Sequence, residues 1–335
     1  MPDNMLNHPG LIIGFAAIIA VMLALDLGVF NKKAHSISNK EAVLWSVTWV
    51  SLAMIFSMAI YFAFGRGAYG LEKFSQFQSA YWIEKALSVD NIFVFVLVFG
   101  FFGVPAESRH KVLYWGVLGA IAMRAVFIFT GIELINRTYL PEIALFGRTI
   151  SVNVVLTIFG IFLICAGIKS GFGDKKGEKE KDFSNNPGVR LVNKLFKVSK
   201  NYDGNKFFTR ENGIKIATPL LVVVGVIEFT DLIFAVDSIP AVFAVSDDPF
   251  ILYTSNIFAI LGLRALYFLL ANFIHKFHFL KYGLAFILTY IGIKMIINPL
   301  IHIPSYLSLC VVGGVLILSV VISLIYPPNV ENHKS

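Results

Sequence analysis

Charge is scarce in this chain. Asp, Glu, Lys and Arg make up 15% of its 335 residues, where a globular protein carries about 25%. Cysteine is scarcer still: Cys165 and Cys310 both sit inside apolar runs, which excludes a disulfide framework and a CxxC metal site. No Walker A phosphate-binding sequence is present, so the chain encodes no ATP-driven motor. No nucleophile–base pair or cofactor motif stands out, so an enzyme is not expected and no cofactor is implied. The first ten residues hold no Lys or Arg and thus lack the charged head of a secretory signal peptide. The first apolar run is therefore expected to stay as a membrane span.

What fills the chain instead is hydrophobic sequence, 57% of the residues. Apolar runs of about 19 to 25 residues recur from end to end, each long enough to cross a hydrocarbon core roughly 30 Å thick. A large soluble helical protein would need polar helix faces, and these runs have few. The expected fold class is an all-α membrane protein, a single polytopic domain over 1–335 in a lipid bilayer. Nine spans are expected, at about 11–30, 42–63, 80–103, 112–134, 150–168, 219–245, 252–272, 279–297 and 304–325.

The net charge of +7 does not point to nucleic acid, because its placement follows membrane orientation. With the N-terminus outside, 20 of the 28 Lys and Arg fall in cytoplasmic segments, four in outer segments and four within spans. Such a bias puts the N-terminus outside and the C-terminus inside. The one long loop, 169–218, is then cytoplasmic. Asp174 to Asp182 is a mixed-charge run expected to be a flexible tether. From Val189 to Lys200, Val192, Leu195 and Phe196 share one helical side and Arg190, Lys194 and Lys197 fall largely on the other, as on a helix against the anionic inner leaflet. Phe207–Arg210 and Ile214–Ala217 flank Asn212-Gly213 and predict a hairpin. This loop is expected to be structural or regulatory, with partner-protein binding as the alternative.

Two stretches of the chain resemble each other. Val89-Asp90-Asn91-Ile92 matches Val236-Asp237-Ser238-Ile239, which sets Glu84 opposite Asp231. Met123-Arg124-Ala125 matches Leu263-Arg264-Ala265, and Gly167-Ile168-Lys169 matches Gly292-Ile293-Lys294. The matches fall in the same order in consecutive spans, and the orientation runs the two sets in opposite directions. Spans three to five and six to eight are thus expected to form an inverted repeat, as in secondary transporters whose sites lie near the midplane where the repeats meet.

Five carboxylates, Glu84, Asp90, Glu228, Asp231 and Asp237, lie in only two of these spans. Each costs at least roughly 2.5 kcal/mol at the bilayer centre. Lys85, Arg124 and Arg264 are the intramembrane bases that could serve as counter-ions, but three bases cannot neutralise five acids. Either some acids are protonated or an exchangeable cation completes the charge. Glu84, Ser88 and Asn91 share a helical face, as do Glu228, Asp231 and Ser238, whereas Asp90 and Asp237 lie about 240° around from Glu84 and Asp231. Pro240 makes a local helix break plausible there. The candidate metal-binding atoms are all oxygens, with Asn91 and Ser238 as neutral donors, and such sites suit Mg²⁺, Ca²⁺ or Mn²⁺. The seven histidines lie in loops, tails or span ends. Asp26 and Glu133 are weaker candidates for the ion path. Lys169 and Lys294, at span ends, are expected to snorkel.

Glu84-Lys85-Ala86-Leu87-Ser88-Val89-Asp90-Asn91 and the run from Glu228 through Asp231 and Asp237-Ser238-Ile239-Pro240 resemble the TerC family, closest to its Alx-like members. The likeness extends to the Arg210-Glu211-Asn212-Gly213 turn and to Ala217-Thr218-Pro219, and so covers nearly the whole chain. It implies a bacterial inner-membrane protein related to the lysine-exporter superfamily and associated with manganese export, with tellurium resistance and with metal delivery to secreted enzymes. By motif, the metal-linked acids would be Glu84, Asp90, Glu228, Asp231 and Asp237. The expected function is a proton-coupled secondary exporter of Mn²⁺. Its rivals are a metal-loading factor acting through partner proteins, a tellurium-resistance protein, and an amino-acid exporter, which five acids disfavour.

Overall fold

The computed structural model describes residues 8–30, 39–141, 143–145, 148–172, 182–211, 213–270, 279–301 and 303–326. The side chains of Asp26, Asp90 and Asp237, and all of the expected tether but Asp182, lie outside the described residues. Helices form where the apolar runs predict them: α1 Pro9–Phe30, α2 Asn39–Ala63, α3 Ala68–Phe101, α4 Ala106–Arg137 and α5 Val154–Phe172. After a short α6, Pro187–Leu195, come α7 Pro219–Phe243, α8 Pro249–Leu261, α9 Leu263–Leu270, α10 Leu280–Ile297 and α11 Ser305–Ile325. Seven of these units are long and apolar enough to cross a membrane: α2, α4, α5, α7, the α8–α9 pair, α10 and α11. Ile55, Ile161, Leu318 and many other large apolar side chains are exposed on them, a surface suited to lipid and not to water. The chain is a multi-pass, all-α membrane protein.

Helix α3 is the hub, packed against α2, α7, α8 and α11. Its 34 residues span about 50 Å, and it starts at Ala68 where a hydropathy reading starts the span near residue 80. The added turns carry polar residues that tertiary partners satisfy. Ser305 Oγ donates to Glu72 Oε1 at 2.7 Å, Ser246 Oγ donates to Gln76 Oε1 at 2.8 Å, and Lys73 Nζ lies 3.6 Å from Asp248 Oδ2. Asp248 also caps α8 by accepting from the Phe250 and Ile251 amides.

Two expectations need correction. Lys294 does not snorkel: it is 4% exposed, and its ammonium donates to Ser308 Oγ of α11 at 2.8 Å. A lysine at a span end stays inside when a neighbouring helix offers an acceptor. Glu133 pairs with Arg137 at 2.7 Å on an exposed face near the end of α4, as an interfacial residue would. The break expected at Pro240 is absent, since α7 runs helical through it. The interruption falls instead at Gly262, between α8 and α9.

The α5–α7 segment docks on one end of the bundle. Its hairpin forms as predicted, one residue shifted, with β3 Phe208–Glu211 paired to β4 Ile214–Ala217 and Gly213 at φ 80° in the turn. Tyr202 Oη donates to the Phe102 carbonyl at 2.8 Å and Lys111 Nζ to the Asn205 carbonyl at 2.5 Å, tying the segment to the α3–α4 turn. Thr209 and Lys206 donate to Asp203 and hold its carboxyl below the usual carboxylate range. The amphipathic helix α6 ends at Leu195, short of the expected Lys200. It buries Val192 against Gly225 of α7, with Gly188 against the Gly225 backbone, and leaves Leu191, Leu195 and Phe196 exposed. A further hairpin, β1 Ile143–Leu145 with β2 Arg148–Ile150, joins α4 to α5; the sequence reading assigned it no structure.

Helices α5 and α10 meet through glycine. A Cβ on Gly292 would sit 2.5 Å from the Gly160 carbonyl oxygen, and one on Gly160 would sit 2.9 Å from that of Gly292, the close approach that small residues permit between membrane helices. Gly292→Leu is therefore expected to cost roughly 1–3 kcal/mol through overpacking. Gly313→Leu on α11, where nothing lies within 4 Å of the new Cβ, is the matched control. Thermal unfolding in detergent checks the pair, and equal midpoints would show that the α5–α10 contact is loose.

Candidate cation site

Four helices bring polar side chains to one place near their middles. Arg124 of α4 is completely buried. Its Nη1 lies 2.5 Å from Glu84 Oε1 of α3 and donates to Asn256 Oδ1 of α8 at 2.9 Å and to Ser238 Oγ of α7 at 3.4 Å. Its Nη2 reaches Asp231 Oδ1 of α7 at 3.5 Å. Asn256 Nδ2 in turn donates to Glu84 Oε2 at 3.0 Å. One guanidinium thus faces two buried carboxylates and leaves a formal charge of one negative. Taking such groups out of water is costly unless they are paired, and a single arginine pairs them only in part.

The remaining valences point the same way. Among the described residues, Asp231 Oδ2 and Ser88 Oγ are buried without a hydrogen-bond partner. Glu84 borders a cavity of about 130 Å³, lined also by Leu87, Asn91, Phe234, Ser238, Leu288, Ala166 and Ser170. It contains carboxylate, amide and hydroxyl oxygens and has room for a small cation with some of its water. A second, far smaller cavity of about 10 Å³ touches Asp231 and Arg264, space for about one water. No cluster of three His, Cys, Asp or Glu side chains forms a ready metal cage among the described residues.

The sequence-derived candidates separate into groups. Glu84, Asn91, Asp231, Ser238 and Arg124 come together. Glu228 lies one turn before Asp231, its carboxylate against Gly119 of α4, where a Cβ would overlap it. Lys85 points away to the α8–α9 junction, donating to the Ala259 carbonyl at 3.4 Å and lying against Gly262; there an ammonium meets the negative end of a helix. Arg264 lines the small cavity. For Asp90 and Asp237 only the backbone is described, within α3 and α7. The sequence reading missed Asn256, which donates to Glu84 and accepts from Arg124. Its signal was the polar run Thr254-Ser255-Asn256 inside an apolar span.

Comparison with known proteins shows the family. Residues 69–331 match the family described as "Integral membrane protein TerC family". A Myxococcus xanthus protein named "Uncharacterized membrane protein STKORF319" is 45% identical over 319 residues, 95% of this chain and 93% of its own. The Escherichia coli (strain K12) protein named "Putative membrane-bound redox modulator Alx" is 43% identical over 325 residues, 96% of each chain. A Rickettsia bellii membrane protein is 40% identical over 311 residues, 93% of this chain and 96% of its own. No solved structure matches.

Proposed function

The chain belongs to the TerC family of integral membrane proteins, and from that premise we propose that it is a secondary transporter exporting a divalent cation, Mn²⁺ above others, by alternating access with proton exchange. It sits in the bacterial inner membrane with nine spans, the N-terminus outside and the α5–α7 segment in the cytosol. Glu84, Asp90, Glu228, Asp231 and Asp237 supply carboxylate oxygens, and Asn91 and Ser238 neutral ones. The observation that supports the reading is the underpaired Glu84–Arg124–Asp231 group, near the middles of its helices, with a cavity that Glu84, Asn91 and Ser238 help to line. Intramembrane acids of this kind mark ion and proton pathways. Arg124 and Arg264 are the counter-ions of the empty site, whereas the placement of Lys85 at the α8 carbonyls suits a structural role.

The oxygen donor set predicts selectivity. Purified protein in liposomes should move Mn²⁺, with little flux of Zn²⁺ or Cu²⁺, which favour nitrogen and sulfur ligands. Flux should quicken when the compartment receiving the metal is more acidic, because protons there displace metal from the carboxylates. Zinc flux equal to manganese flux would count against the oxygen site. Indifference to an imposed pH gradient would remove the proton coupling alone. A protein that moves no metal by itself would favour the metal-loading alternative.

A further inference from the structure

The inverted repeat makes the cavity asymmetric in a way that can be read residue by residue. Four of its lining residues are two pairs of repeat partners, Leu87 with Phe234 and Asn91 with Ser238, so the cavity lies where the two halves meet. Leu288 of α10, the match of Leu163, also lines it, and Ala166 and Ser170 of α5 extend it toward the end of the bundle that carries the α5–α7 segment. By the Gly167-Ile168-Lys169 and Gly292-Ile293-Lys294 match, their partners on α10 are Ile291 and Met295. Ser170 is exposed and Ala166 half-buried, but Ile291 is 2% and Met295 5% exposed, packed in the core with Leu163. The lysines differ in the same sense: Lys169 is exposed while Lys294 is buried.

Polar bonds surround the closed side. Lys294 Nζ donates to Ser308 Oγ at 2.8 Å, and Tyr290 Oη lies 3.3 Å from the same oxygen. Glu72 lies within electrostatic reach of Lys294 and accepts from Ser305 Oγ. Ser79 Oγ donates to the Ser305 carbonyl at 3.3 Å. These contacts clamp the far ends of α3, α10 and α11 together.

We propose that Ile291, Met295 and Leu163 line the outer half of the cation path, shut in this structure, and that the Lys294–Ser308 bond is the latch that keeps it shut. The proposal rests on the transporter reading and extends it: the same cavity would open past Ala166 and Ser170 to the cytosol in one state and past Ile291 and Met295 to the outside in the other. Exchange between two packings of α5 on α10 needs no new site, only the repeat's own symmetry.

Thiol labelling tests it without relying on metal flux. The native Cys165 and Cys310 are first replaced by alanine, and Ser170→Cys or Met295→Cys is then introduced singly. A membrane-impermeant maleimide should label the Ser170→Cys chain from the cytosolic face only, and should barely label the Met295→Cys chain from either face. Adding Lys294→Met, or the milder Ser308→Ala, should raise labelling of the Met295→Cys chain from the outer face at least about tenfold, the shift expected from losing a hydrogen bond to a charged group. Labelling that stays at background with both latch variants overturns the proposal, as does labelling of that position from the cytosolic face. The expected labelling in a protein that moves no Mn²⁺ would uphold the path and refute its cargo, so the two failures are distinguishable.

Discussion

Replacing Arg124 with leucine is expected to destabilise the bundle by roughly 3–5 kcal/mol, the usual consequence of leaving a buried charge without its partner. Glu84 and Asp231 would lose their shared guanidinium, and Asn256 would lose a donor, all with little or no access to water. A cation that can enter should compensate. Millimolar Mn²⁺ should therefore raise the thermal unfolding midpoint of the Arg124→Leu protein in detergent much more than that of the parent, since only the variant lacks the built-in cation. Adding Glu84→Gln and Asp231→Asn to Arg124→Leu should recover much of the lost stability and abolish the response to Mn²⁺. A variant that melts like its parent and ignores Mn²⁺ would mean that the arginine does not hold the acids.

The other large effect concerns transport. Asp231→Asn keeps the shape of the side chain and sacrifices only a long 3.5 Å contact to Arg124, so the protein should insert and melt nearly as the parent does. It also removes a charge whose second oxygen has no protein partner among the described residues. Changing even an outer-shell partner of a metal site typically lowers affinity about 10–100-fold, so losing a direct oxygen ligand should reduce Mn²⁺ flux by at least that much. Asp90→Asn and Asp237→Asn, at the matching positions of the two acidic runs, should do the same. Initial rates in liposomes, normalised to inserted protein, decide the matter. Normal rates in all three variants would make the carboxylates structural.

The acidic half of the site was legible because charge in an apolar run is conspicuous on its own: Glu84 and Asp231 declare themselves by what surrounds them in the chain. Arg124 was legible for the same reason. Asn256 was not, since an uncharged amide costs far less in a membrane helix and so leaves a weak signal. Lys85 and Lys294 were misjudged in opposite senses. Lys85, beside an acid in sequence, turns to a carbonyl 174 residues away. Lys294, at a span end, finds a hydroxyl on the next helix.

By itself, the sequence determined that this is a helical, multi-pass membrane protein, where its helices lie, and which acids are too expensive to be accidental. Those properties follow from local sums, because the transfer free energy of a run depends on its own residues and every backbone group must be bonded within the helix. Tertiary structure alone decided which carboxylate meets Arg124, that Asn256 joins Glu84 across 172 residues, and that the added turns of α3 are satisfied by α11 and the start of α8. Those outcomes turn on how the helices approach one another, which is set by contacts such as Gly160 on Gly292 that no single segment contains.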